Sequence, residues 1–435
     1  MTPIAPTLAA LVTDLVGVDL PIRLRAWDGS EAGPADAPVA VLRARRALRR
    51  LLWDPSELGL ARAFVAGDLA VEGDLTDGLR RCWQLAARTG AGIRLSGRDR
   101  LRAARTLARL GVLGPRPRPP AAEARLSGRL HTKLRDRAAI AHHYDLSNDF
   151  YRLLLDDRVV YSCAYWTADG PGYTLEDAQR DKLDAICRRL GLGPGMRLLD
   201  IGCGWGALVH AAREYGVHAT GVTLSREQRD FGRARVAELG LAGQVEIRLR
   251  DYREIAEAPF DAVSSIEMGE HVGEGNYPTY AATLHRLVRP HGRVLLQQMS
   301  RGDVAPGGGA FIERYVAPDM HMRPLGATIG LLERAGLEVV DMHALREHYV
   351  WTVRPWLDRL TAWRDEVVAL VGAEQYRVWQ LYLAGGALSF EQGRMGVHQV
   401  LMVRPDESGA TGLPRSRPAI LGADPAERRD AVRTP

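Results

Sequence analysis

Three stretches of the chain hold residue types that could do chemistry. Residues 159–166 read VVYSCAYW, which sets Cys163 beside Ser162 and among the rings of Tyr161, Tyr165 and Trp166. A cysteine there invites a nucleophile reading. Aromatic faces also stabilise a cation, by about 0.5–2 kcal/mol each, and keep water away from it. The second stretch, LLDIGCGWGAL, puts Asp200 ahead of Gly202, Gly204 and Gly206. Glycines so spaced permit a tight turn whose backbone N–H groups approach a ligand at a helix N-terminus. Gly202-x-Gly204-x-x-Ala207 formally fits a dinucleotide fingerprint. The acidic residue that such a site wants about 20 positions on is missing, since TGVTLS offers only Thr223 and Ser225. The third stretch, IEMGEHVG, groups Glu267, Glu270 and His271.

These residues need a scaffold, and the hydrophobic pattern supplies one. MRLLDIG, HATGVTL, VEIRLRDY, DAVSSIE and RVLLQQM read as strands, and WGALVHAAREYG, SREQRDFGRARVAELG and TYAATLHRLVRP as helices between them. That alternation predicts a doubly wound parallel α/β sheet. Ligands in such sheets bind outside the carboxyl ends of the strands, where Asp200, Asp251 and Tyr252, and Glu267 and Glu270 all fall. The D-x-G-x-G-x-G form resembles motif I of class I S-adenosylmethionine methyltransferases, so S-adenosylmethionine is the expected cofactor. Asp251 could then accept the adenine amino hydrogen while Tyr252 packs on the ring.

The 435 residues, 46% hydrophobic and 26% charged, describe a globular chain of more than one unit. We read residues 1–92 as a small N-terminal α+β domain and 93–129 as a basic amphipathic helix with a Pro/Arg linker. The catalytic domain is expected at 130–404 and a disordered tail at 405–435. Between Arg94 and Arg137, thirteen basic residues face only Asp99, Glu123 and Asp136. Arg98, Arg102, Arg105 and Arg109 recur at helical spacing, which suits a solvated face or anionic phosphates. The four cysteines lack C-x-x-C spacing and the adjacent His142 and His143 point apart, so no metal is expected. The N-terminus lacks the basic leader of a signal peptide, and no apolar run is long enough to span a bilayer. The expected location is cytoplasmic.

Several motifs in fixed order, HHYDLSNDFYRLLLDDRVVYSCAYW, TLEDAQRDKLDAIC, LLDIGCGWG, GVTLSREQ, EMGEHVGEGNY and HYVWTVRPW, resemble those of cyclopropane-fatty-acyl-phospholipid synthases and mycolic-acid-modifying methyltransferases. The resemblance covers about residues 130–405. The first domain looks, more weakly, like the lipid-associated domain of the phospholipid-acting members. What this implies is methyl transfer from S-adenosylmethionine to the cis double bond of an unsaturated phospholipid acyl chain. The resulting carbocation would lose a proton to a bound bicarbonate. Positions matching the bicarbonate site are Cys163 and Met299 through backbone groups, Glu270, Gln297 and Tyr349. Positions matching cofactor contacts are Tyr161, Ser162, Gly202, Thr223, Leu224 and Gln228, beside Asp200, Gly204, Gly206, Asp251 and Tyr252.

The chain departs from the cyclopropane-forming pattern with Gln297 in place of histidine and with Gly269, which leaves room beside Glu270. Residues 305–324 also differ. These features look more like the actinobacterial branch that makes 10-methylene and 10-methyl (tuberculostearic-type) chains, with a separate flavin or nicotinamide reductase to saturate the product. Cyclopropane synthesis is the nearest alternative; a nucleic-acid methyltransferase and a non-catalytic lipid carrier are more distant. The expected partners are a phospholipid at the inner face of the cell membrane, bound peripherally, and a second copy in a homodimer, with no nucleic acid.

Overall fold

The computed structural model describes residues 3–89, 97–124, 132, 135–136, 146–257, 259–302 and 304–422. His142 and His143 lie outside them. Two compact units emerge, Met1–Ala124 with Leu360–Leu388, and Arg125–Arg359 with Ser389–Pro435. The division differs from the expected one twice. The basic helix Gly97–Arg109 belongs to the first unit, and a segment from near the end of the chain completes that unit.

The first unit holds a four-stranded sheet, β1 (Arg23–Arg25), β2 (Glu31–Ala32), β3 (Val39–Leu42) and β4 (Leu69–Glu72), in the order β2-β1-β3-β4. Its small core gathers Ile4, Ala5, Leu8, Leu42, Ala47 and Ala63, and Leu107 of the basic helix and Leu110 just past its end pack against it. Gly111, at φ +69°, ends that helix, because a left-handed residue closes the last turn at little cost to glycine. The Pro/Arg stretch is pinned along helix Arg45–Trp53: Trp53 Nε1 donates to Gly114 O at 3.0 Å and Arg50 to Arg118 O at 2.8 Å.

The second unit is built on β5 (Arg197–Ile201), β6 (His218–Thr223), β7 (Val245–Leu249), β8 (Phe260–Ile266), β9 (Val288–Arg301), β10 (Glu338–Ala344) and β11 (Met395–Val403), in the order β10-β11-β9-β8-β5-β6-β7. β7, β6, β5, β8 and β9 run parallel, and β11 and β10 close the sheet antiparallel. The inner strands are apolar on both faces because helices cover both. Helices Tyr277–Leu287 and Leu325–Arg334 contribute Leu284, Leu287 and Leu332 to one core. Helices Leu175–Leu190, Val209–Tyr215 and Arg226–Glu238 contribute Ile186, Val209 and Val236 to the other.

Two local readings need correction. The edge strand β10 has no counterpart among the expected strands, because EVVDMHA mixes polar and apolar residues as an edge allows. Residues 405–422, expected to be disordered, are folded. Asp406 accepts from Ser408 N and Ala410 N at 2.9 and 3.0 Å and meets His291 Nε2 at 2.9 Å, and Arg293 donates to Ile420 O at 2.8 Å. Polar composition misled there, since the segment is held by side-chain hydrogen bonds and not by a core of its own.

Leu284 is fully buried under the parallel strands. Leu284→Ala should lower stability by about 2–5 kcal/mol, measured by thermal or urea denaturation, without a change in oligomeric state.

Candidate active site

The carboxyl ends of β5, β6, β7 and β8 open onto one cavity. Gly202, Gly204 and Gly206 make the first turn at φ +83°, +52° and +92°. A side chain on Gly202 would strike Met268, with its Cβ 2.7 Å from Met268 Cγ, whereas Gly204 faces open space. Asp200 sits beside Ser264 of β8, which donates to it at 2.7 Å, and burial pushes its carboxyl up to about 6. At the end of β6, Thr223 donates to Gln228 Oε1 at 2.7 Å, and Ser225 caps the helix that carries Gln228. Tyr161, Ser162, Thr223, Leu224, Gln228, Asp251 and Tyr252 line the cavity with the glycine turn; Gly206 stands behind it, against Ile247 and Gly232.

Asp251 is placed differently from expectation. Its carboxylate caps the turn after β7, accepting from Arg253 N at 2.9 Å, and both oxygens are held by the Arg253 guanidinium at 2.6–2.8 Å. Arg253 also reaches Asp136, another lining residue, at 2.9 Å. Asp251 thus orders the wall through an ion pair, and its oxygens are already engaged.

The ring cage around Cys163 also needs correction. Tyr165 stacks on His348 and Trp166 leans on Tyr173, so neither lines the cavity. Trp356, from helix Arg346–Ala362, packs against the cavity-lining Tyr161, with its ring centroid 5.4 Å from that of Tyr161 and 6.2 Å from that of Tyr349. The Cys163 sulfur is fully buried among the backbone oxygens of Ala164 and Leu345, and burial pushes the thiol well above its ordinary range. A thiol so held is no nucleophile.

Cys163 presents its backbone instead, and to Glu267. Glu267 Oε1 accepts from Cys163 N and from Gln297 Nε2, each at 2.8 Å, and Oε2 accepts from the Tyr349 hydroxyl at 2.6 Å. Glu267 is buried, with its carboxyl raised by desolvation, and lies at φ +50°, an uncommon conformation for a glutamate. Its own N–H is anchored on Gln297 O at 2.7 Å. Glu270, one turn later, points elsewhere: Oε1 accepts from Met299 N at 2.5 Å, and Oε2 has no hydrogen-bond partner among the described residues. Burial, with the Glu267 charge adding to it, pushes the Glu270 carboxyl up to about 8. Burial also holds His271 down at about 4. Gly269 opens no room beside Glu270. A Cβ there would lie 2.1 Å from Gln298 Oε1, which itself accepts from Tyr277 at 2.6 Å.

The sequence groups Glu267 only with Glu270, and no local pattern marks a role for Lys182. Lys182 lines the cavity, donates to Ser162 Oγ at 2.7 Å, and is drawn down to about 8 by burial against the pull of Glu267 and Asp156. One signal was available: it is one of two lysines in the chain.

Two groups implied by the resemblance can be tested against these residues. The open turn at Gly204, with Gln228, Tyr252 and the acid Asp200 around one cavity, suits S-adenosylmethionine. Bicarbonate does not fit. The Cys163, Gln297 and Tyr349 donors converge on Glu267, and Met299 N is taken by Glu270. A further anion would sit beside two buried carboxyls, and burial makes that repulsion costly.

A family model described as mycolic acid cyclopropane synthetase matches residues 131–400. A probable fatty acid methyltransferase of Pseudomonas putida is 38% identical over 418 residues, covering 94% of this chain and 98% of that protein. The tuberculostearic acid methyltransferase UfaA1 of Mycobacterium tuberculosis is 34% identical over 418 residues, covering 92% and 93%. The solved structure of mycolic acid cyclopropane synthase CmaA1 complexed with SAH and CTAB matches with a TM-score of 0.58 at 32% identity, covering 61% of this chain and 97% of that one.

The Glu270 carboxyl yields a pH test. Because its folded value of about 8 lies above the ordinary 4.5, the bound proton stabilises the native state fully below the ordinary value. That contribution is lost as pH rises through the interval up to about 8. Glu270→Gln cannot titrate, so its melting temperature should gain on the wild type between about pH 5 and about pH 8 and hold that gain above. Parallel melting curves would contradict the assignment.

Proposed function

Because the chain belongs to the mycolic acid cyclopropane synthetase family and is an S-adenosylmethionine-dependent methyltransferase of unsaturated fatty acyl chains, we propose that it methylates the cis double bond of an acyl chain within a membrane phospholipid and releases a methylene-branched chain. S-adenosylmethionine, when bound, supplies an electrophilic methyl group. The glycine turn, Thr223, Leu224, Gln228 and Tyr252 are the residues to hold it, with Tyr161 and Ser162 lining the same cavity.

The observation that carries the reading is a cavity that places a buried glutamate, Glu267, beside the glycine turn and keeps the Cys163 thiol inert. An alkene attacks an electrophile without prior deprotonation, so the chain need not ionise its substrate. What it must supply is an aromatic surface for a transient cation and an acceptor for the proton that the cation loses. Tyr161 offers such a face, backed by the packed rings of Trp356 and Tyr349, and the inert Cys163 sulfur fits a reaction with no covalent enzyme intermediate. The similarity to a tuberculostearic acid methyltransferase supports the methylene branch. A separate flavin or nicotinamide reductase would then saturate that group.

Incubation with S-adenosylmethionine and oleoyl phospholipid vesicles should yield a 19-carbon methylene-branched acid by mass spectrometry after hydrolysis. A cyclopropane acid with no methylene-branched product would sink the product assignment and favour the cyclopropane alternative.

Access to the phospholipid is proposed through the first unit. No helix among the described residues is long and apolar enough to cross a membrane. Arg102, Arg105 and Arg109 are exposed on the helix whose Leu107, with Leu110 just past its end, faces the core, a geometry suited to anionic head groups at the inner membrane face. At about 1 kcal/mol per basic residue near such a surface, the double variant Arg102→Gln/Arg105→Gln should bind phosphatidylglycerol vesicles about 30-fold more weakly in a sedimentation assay. Binding unchanged by the substitutions and by salt would remove this assignment.

A further inference from the structure

The carboxylate that this chain places at its cavity is its own. We propose that Glu267 is the general base of the reaction, built into the fold where a dissolved anion would otherwise have to bind. The inference rests on the methyl-transfer reading above and deepens it.

Four observations converge on Glu267. Among the described residues it is the one glutamate lining the cavity, where Tyr161, Ser162 and Met268 line it too. Its carboxylate collects a backbone N–H, an amide and a phenol, donors contributed by three well-separated parts of the chain. Its backbone is held at φ +50°, and such strain persists where the surroundings over-determine it, often at functional sites. The amide that faces it has a fixed sense. Arg189, which can only donate, gives a hydrogen bond to Gln399 Oε1 at 2.7 Å, and Gln399 Nε2 donates to Gln297 Oε1 at 2.9 Å. Gln297 can therefore turn only its NH2 toward Glu267. It holds the carboxylate and cannot take a proton, so it is a positioning residue. Tyr349 donates from the other side.

The proton step balances within the site. The C–H bonding pair of the substrate cation becomes the new carbon–carbon bond of the product. The proton goes to a Glu267 oxygen, and cation plus carboxylate become a neutral chain plus a neutral acid. Burial raises the Glu267 carboxyl, which improves it as an acceptor near neutral pH, and the nearby Lys182 charge favours its ionised form before reaction.

The test uses the full chain, S-adenosylmethionine and oleoyl phospholipid vesicles, in buffer stripped of carbon dioxide and then supplemented with bicarbonate. Wild-type turnover should be the same in both. Glu267→Gln should be slower by about 100-fold or more, in line with loss of a general base, while S-adenosylhomocysteine affinity by calorimetry stays close to wild type. Glu267→Gly, which vacates the carboxylate position, should regain turnover with added formate or bicarbonate. Wild-type turnover that collapses on stripping and returns with bicarbonate would overturn the proposal even if the variants misfold. So would a Glu267→Gln protein that keeps most of its turnover. A wild-type chain that methylates no vesicle lipid under either condition would instead overturn the reading beneath it, and the proposal with it.

Discussion

A carboxylate buried without water must be given its hydrogen bonds by the protein, and that requirement at Glu267 organises the second unit. Taking such a charge out of water costs several kcal/mol. Cys163 N–H, Gln297 and Tyr349 offset this cost, and each needs support of its own. Gln297 lies in the middle of β9, paired with both β8 and β11, so its amide is aimed by the sheet. Gln399, its register partner on β11, fixes its orientation. Tyr349 is wedged between Phe390, at 4.5 Å between ring centroids, and Trp356. The aromatic cluster thus serves two ends, since Trp356 packs both on Tyr161, which lines the cavity, and on the ring whose hydroxyl holds the base.

Cofactor turn and base meet at Met268. Its side chain fills the space that a Cβ on Gly202 would need, and it follows Glu267 directly in the chain. The glycine turn after β5 and the loop after β8 therefore constrain one another, and a larger residue at 202 would press on the loop that carries the base. Gly269 and Gln298 show the same logic one step on. The absent side chain at 269 is the space that Gln298 fills, so that glycine answers a packing demand from the neighbouring strand.

The parallel sheet was legible because β5, β6, β7, β8 and β9 are short apolar runs separated by helical periods, and period and turn are local signals. Most cofactor positions were legible for the same reason, since they fall on strand ends. What could not be read depends on contacts between distant positions. Asp251 looks free in RLRDY until Arg253 folds back on it. Tyr165 and Trp166 look like a cage until the alternation of an extended segment turns them toward His348 and Tyr173. Glu267 looks subordinate to Glu270 because nothing local reveals that residues 163, 297 and 349 meet at its oxygens. Residues 405–422 were misjudged because composition measures burial, and that segment is ordered by an aspartate turn and by arginine bonds to backbone.

A base that belongs to the fold also bears on the product. A small anion in a pocket can shift among positions and take whichever proton of the cation is most acidic or nearest. The Glu267 carboxylate is held by three donors and a constrained backbone, so it reaches only protons on one side of the cavity. If the carboxylate meets a proton of the new methyl group while the charge is still on the neighbouring carbon, a ring closes. If that proton is reached only after a hydride has shifted the charge onto the carbon that bears the methyl group, loss of the methyl proton leaves a methylene branch. Gln297 matters to this choice although it takes no proton, because its amide, aimed through Gln399 and Arg189, sets where the carboxylate oxygens lie. Selectivity would then be written in the register of β9 against β11, a feature of the sheet more than of any single catalytic side chain.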